Sequence, residues 1–97
     1  MAVFDPEINK LESAMERSAK VQEIISHNIA NASTPGFRAM EFDEVLNQAV
    51  ERQNNPQVNL EQELANLSQN GIAYSAYSKL LIAKLNILRT IATQGRR

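Results

Sequence analysis

From Leu60 to Ala92 the chain reads LEQELANLSQNGIAYSAYSKLLIAKLNILRTIA. Within it Leu60, Leu64, Leu67, Gly71, Tyr74, Ser78, Leu81, Leu85, Leu88 and Ala92 follow one another at alternating spacings of four and three, the repeat of a helix that presents one seam to a partner. Asn59 stands where a side chain caps free amides, Gln62 completes a box-like pair, and Glu61 and Glu63 occupy the favourable end of the helix dipole. The spacing predicts a helix over about 60–93, about 50 Å long at ~1.5 Å per residue, with Gly95 marking its end. A second series, Ala73, Tyr77, Leu80, Lys84, Ile87 and Ile91, lies beside the first. The C-terminal half therefore carries an apolar face wider than one partner helix covers. Burial of each Leu or Ile is worth roughly 1.5 to 3 kcal/mol as an upper bound, so such a face favours association. Small residues at Ser18, Gly71 and Ser78 would let helices approach closely.

Upstream, Asp5-Pro6 opens another helix, because Asp caps free amides and Pro at the first helical position gives up only an unbonded one. Ile8, Leu11, Met15, Ser18, Gln22, Ile25, Ile29 and Ala32 keep helical spacing, with Val21 and Ile24 beside them. They form one apolar stripe with two polar interruptions over about 6–32. Thr34-Pro35-Gly36-Phe37 ends it and fits a type II turn, with Pro at the second position and Gly at the third. In the connecting segment, about 33–58, Phe42, Val45, Leu46, Ala49 and Val50 would share one face of a short helix. Gln53-Asn54-Asn55-Pro56-Gln57 then reads as a polar loop. The expected fold is all-α, a single domain over 1–97. Two long amphipathic helices, paired as a coiled-coil-like hairpin or an intermolecular bundle, are joined by a turn-rich segment with a possible short helix.

Composition fits that reading. A chain of 97 residues builds only a modest core alone, which makes oligomerisation plausible from the start. Aromatic residues at 5% and the absence of Trp suit helices better than sheets. A net charge of −1 argues against a general nucleic-acid binder, which needs a basic excess to neutralise phosphates. Acids dominate from Glu41 to Glu63, whereas Lys79, Lys84, Arg89, Arg96 and Arg97 form an acid-free tail. That polarity favours head-to-tail or helix-dipole complementarity. Without cysteine there is no disulfide, zinc thiolate or thiol nucleophile. Residues Met1 to Lys10 lack the basic start and apolar run of a cleavable signal peptide, and no stretch reaches the ~20 apolar residues of a membrane span.

The residues Asn28-Ile29-Ala30-Asn31-Ala32-Ser33-Thr34-Pro35-Gly36-Phe37, followed by Phe42 in Glu41-Phe42-Asp43, resemble the N-terminal signature of the flagellar axial family of rod, hook and hook-associated proteins. The run Val58 to Leu64, then Asn70, Tyr74 and the apolar stretch from Leu80 to Ile91, is similar to the C-terminal half of proximal-type rod proteins in that family. Phe37 replaces the more usual Tyr, Ser26-His27 stand where another Asn is common, and the middle segment is short. Tyr74-Ser75-Ala76 lacks the Arg-containing pattern of the neighbouring rod paralogue, which favours the proximal type. The resemblance implies a subunit of the periplasmic rod in the basal body, exported through the flagellar type III apparatus. It also implies partners: its own copies, other rod subunits and the adaptor that joins the rod to the membrane ring. On this reading Asn28 and Asn31 are register-setting polar contacts at an interface, and Leu64, Leu67, Leu81, Leu85 and Leu88 form the assembly seam. The Leu60 to Ala92 seam is expected to meet the Ile8 to Ala32 seam.

Other readings are weaker. One histidine, His27, makes neither a metal site nor an acid-base pair. Glu61 and Glu63 point to different sides of a helix, so dipole complementarity and solvation explain them. Tyr74 and Tyr77 read as packing residues, and Lys84 and Arg89 as a solvated helix end or contacts to an acidic surface. No nucleophile-and-base pair, phosphate-binding glycine loop or ligand cluster is present, so neither enzyme activity nor a cofactor is expected. The alternative of another class is a free-standing helical adaptor or export chaperone of a secretion system, which would share the heptads without requiring Thr34 to Phe37.

Overall fold

A computed structural model describes residues 5–95. Arg96 and Arg97 of the basic tail, and the first four residues of the N-terminal segment, lie outside them. Helix α1 (Pro6–Ala30), strands β1 (Met40–Asp43) and β2 (Gln48–Glu51), and helix α2 (Leu60–Gln94) follow in that order. Asp5 Oδ1 accepts the Glu7 and Ile8 amides at 2.8 and 3.4 Å and starts α1. Asn59 Oδ1 does the same for Gln62 at 3.1 Å and starts α2. Helix α1 stops at Ala30 because Asn31 leaves helical geometry, and Phe37 N–H closes the following turn onto Thr34 O at 3.2 Å. Gly36 sits at φ +76°, the left-handed value that the third position of a type II turn requires.

The expectation of an all-α chain is corrected in the connecting segment. In place of a short helix, β1 and β2 pair antiparallel, Met40 with Glu51 and Asp43 with Gln48. The turn chemistry decides this. Asp43 Oδ1 accepts the amides of Val45 and Leu46, each at 2.9 Å, and Asn47 takes φ +56°, a conformation that Asn tolerates and a helix cannot contain. Phe42 and Val50 become half-buried, while Val45 and Leu46 are exposed at the tip.

Helices α1 and α2 run antiparallel, since residues near the start of α1 meet Lys84 and residues in its middle meet Asn70. The molecule measures 66 × 24 × 16 Å. Its buried interior is thin: Ile8, Ile24, Ile25 and Ala39 are apolar, and Ser18, Asn28 and Glu63 are polar. Most of these lie at the end where the hairpin packs on the two helices. There Ala39 N–H donates to Pro56 O at 2.6 Å, and Arg52 N–H donates to Ala39 O at 2.8 Å, drawing the hairpin base together.

Candidate assembly surface

The exit of α1 is organised by two asparagines with different tasks. Asn28 is buried. Its Nδ2 donates to Met40 O and its Oδ1 accepts from Met40 N–H, both at 2.9 Å. The side-chain amide thus imitates a neighbouring strand and satisfies both backbone groups of the first residue of β1. Asn31 works locally: its Nδ2 donates to His27 O at 2.9 Å, and Thr34 Oγ1 donates to its Oδ1 at 3.2 Å. Ile29 is half-buried beside them, whereas Thr34, Pro35 and Gly36 are exposed. Phe37 packs edge-to-face with His27, ring centroids 5.4 Å apart. Asn28 therefore braces α1 against the hairpin, while Asn31, Thr34 and Phe37 close the turn between them, all within one chain.

The hairpin is tied to α1 by a second set of contacts. Glu44 pairs with Arg17, whose Nε donates to Glu44 Oε1 at 2.6 Å. The Arg17 guanidinium also lies over the Phe42 ring, 5.4 Å from its centroid. The hydrogen bond from Arg17 holds the Glu44 carboxyl below its usual range, and the hydrogen bond to Glu44 raises Arg17.

On α2, the direction that faces α1 is set by polar residues. Glu63, expected to be solvated, is instead 2% exposed and pairs with Arg52 at the end of the hairpin at 3.0 Å. Asn70 Nδ2 donates to Ser18 O at 2.8 Å and to Gln22 Oε1 at 3.1 Å, locking the register midway. Lys84, expected at a solvated helix end, lies 3.4 Å from Asp5 and 3.1 Å from Glu7 across the far end. Burial pushes the Asp5 carboxyl up, but the Glu7 and Ile8 amides and Lys84 outweigh it, leaving a net lowering. The hydrogen bonds that Lys84 donates to Glu7 and Asp5 raise its value. Arg52, Ser18 with Asn70, and Lys84 are ties that spacing alone did not expose: each joins residues far apart in sequence, and each contains a polar group that an apolar-stripe reading passes over.

Consequently the ten-residue stripe of α2 does not centre on α1. It is rotated about a quarter turn from the Glu63-Asn70-Lys84 line. Leu67, Leu81 and Leu88 are half-buried, while Leu64 and Leu85 remain 48% and 40% exposed. On the other flank Leu80 and Ile87 are exposed as well, and so is Ile91, which continues the Lys84 line one heptad further. Large apolar side chains thus stay exposed along the length of α2. Among the described residues no helix is long and apolar enough to cross a membrane.

Residues 8–38 match the family described as Flagella basal body rod protein. The flagellar basal body rod protein FlgB of Bacillus subtilis (strain 168) is 28% identical over 129 aligned positions, which take in 99% of this chain and all of that protein. Those 129 positions exceed the 97 residues here, so the relative carries residues that this chain lacks. Both matches fall on the resemblance carried by the Asn28 to Phe37 motif, and together they support a component of the flagellar basal-body rod.

Proposed function

We propose that this chain, similar over residues 8–38 to flagellar basal-body rod proteins and along its length to the FlgB protein of Bacillus subtilis, is a structural subunit of the proximal rod with no enzyme activity. It assembles by helix packing and serves motility. The observation that carries the reading is the pairing of a polar-locked intramolecular brace with a long apolar stripe left exposed on α2. A chain that fixes its own hairpin through Asn28, Asn70 and Glu63 keeps Leu64 and Leu85 free for neighbours. Those neighbours are its own copies, other rod subunits and the adaptor to the membrane ring. Export through the flagellar type III apparatus, without a cleavable signal peptide, is part of the same reading.

The test is a clean deletion, complemented by a tagged copy that is then located in purified basal bodies. Loss of motility and of the rod, with the tagged protein inside restored rods, is the expected result. Intact rods with the protein outside them would overturn it. Leu85→Glu sharpens the test. The side chain is 40% exposed in the single chain, so the helical circular dichroism should be retained, while complementation of motility should fail.

A further inference from the structure

We propose that two copies of this chain pair through α2 in an antiparallel, two-fold symmetric dimer along the stripe from Leu60 to Ala92. The inference concerns the isolated protein and does not rest on the rod assignment.

Gly71 points to it first. Glycine inside a helix is disfavoured, yet a Cβ built on Gly71 would meet nothing within 4 Å. Its own chain does not need the missing side chain. Beside it Ser18, Ala19, Gln22, Asn70 and Tyr74 complete a groove of about 300 Å³ between the helices. The groove is open to solvent at the level of the exposed stripe and suits an apolar side chain from outside.

The order of residue sizes along the stripe says where that side chain comes from. The alternation of four and three reads the same from either end. Laid against a reversed copy, Gly71 meets the second copy's Leu81, Tyr74 meets the second copy's Ser78, and Leu67 meets the second copy's Leu85. Each small residue faces a large one, which is the self-complementarity that a two-fold interface demands. A parallel pairing would set Gly71 on Gly71 and Tyr74 on Tyr74 instead.

Charge selects the same orientation. Helix α2 has Glu61 and Glu63 in its first turn and no acid beyond them, and it has Lys79, Lys84 and Arg89 in its second half. Antiparallel pairing brings Glu61 near the second copy's Arg89 and opposes the helix dipoles; parallel pairing stacks Arg89 on Arg89.

Cysteine cross-linking of the purified chain decides it, because the protein has no cysteine of its own. Positions 64 and 88 lie about 36 Å apart along one helix, so they cannot join within a chain, but they adjoin in the reversed pair. The double variant Leu64→Cys/Leu88→Cys should oxidise to a covalent dimer, and each single variant should stay monomeric under denaturing conditions. Sedimentation equilibrium should show a dimer for the native sequence. Gly71→Leu, with space for its side chain in the monomer, should keep its helical circular dichroism and weaken dimerisation at least tenfold. A monomer or an open-ended oligomer for the native sequence, self-cross-linking of Leu64→Cys alone, or an undiminished Gly71→Leu dimer would each overturn the proposal. None of these outcomes depends on whether rods form in cells.

Discussion

At the exit of α1 the fold turns on Asn28. Its amide replaces a missing strand for Met40, and both of its hydrogen bonds are made away from water. Asn28→Ala would leave the Met40 N–H and C=O without partners, a loss on the order of 2 to 4 kcal/mol. Asn28→Asp keeps the acceptor for Met40 N–H but opposes a carboxylate to Met40 O, and should be no better. Urea denaturation gives the magnitude, and faster amide exchange at Met40 in both variants gives the location. The importance of Asn28 was legible from the Asn28 to Phe37 motif, and the turn geometry at Gly36 followed from Pro-Gly order. Its partner was not legible, because Met40 contributes only backbone and no residue pattern advertises a backbone group. Asn31 shows the reverse case: its bonds to His27 and Thr34 are local and need no neighbouring element.

At the scale of elements, the two helices were readable because capping residues and apolar spacing agree over long stretches. The hairpin was not. Phe42, Val45, Leu46, Ala49 and Val50 have helical spacing, but Asp43 and Asn47 override it. The first ties its carboxylate to two amides ahead of it, and the second accepts a left-handed backbone. Asn47→Gly should therefore preserve the hairpin, whereas Asn47→Val forces a β-branched residue to positive φ and should cost about 1 to 2 kcal/mol. The difference in urea midpoint between the two variants measures it. The Arg52–Glu63 pair, which fastens the end of the hairpin to α2, makes a further case. Arg52→Met strands a buried carboxylate and should destabilise by about 3 kcal/mol, while Arg52→Met/Glu63→Met should recover most of that loss. A double variant less stable than the single one would mean that the pair stabilises the fold beyond relieving its own burial.

Across the described residues few apolar side chains are buried, and polar ties hold the long hairpin in register: Arg52–Glu63 at one end, Ser18–Asn70 midway and Lys84 with Asp5 and Glu7 at the other. The heptad stripe of α2 was legible from its spacing, but its quarter-turn offset from α1 was not, since it follows from where these polar pairs meet. The ionic ties also set the response to pH. Asp5 and Glu44 have folded values below their ordinary ones, so the folded state binds protons less readily than the unfolded chain in that range. Their contribution is full above the ordinary carboxylate range and is lost as pH falls through the lowered values. Lys84 is raised, so its contribution is full below the ordinary lysine value and is lost only as pH rises through the higher one. Stability should thus be level through neutral pH, decline in acid and decline again in strong alkali. Urea midpoints followed from neutral to strongly acidic pH should fall more shallowly for Lys84→Met than for the native sequence, because the carboxyl of Asp5 then loses the ammonium that helps lower it. Arg17→Met should flatten the same limb through Glu44. If both variants keep the full acid slope, the ties at Asp5 and Glu44 do not govern the acid response, and the polar interior around Asn28 and Asn70 holds the hairpin without them.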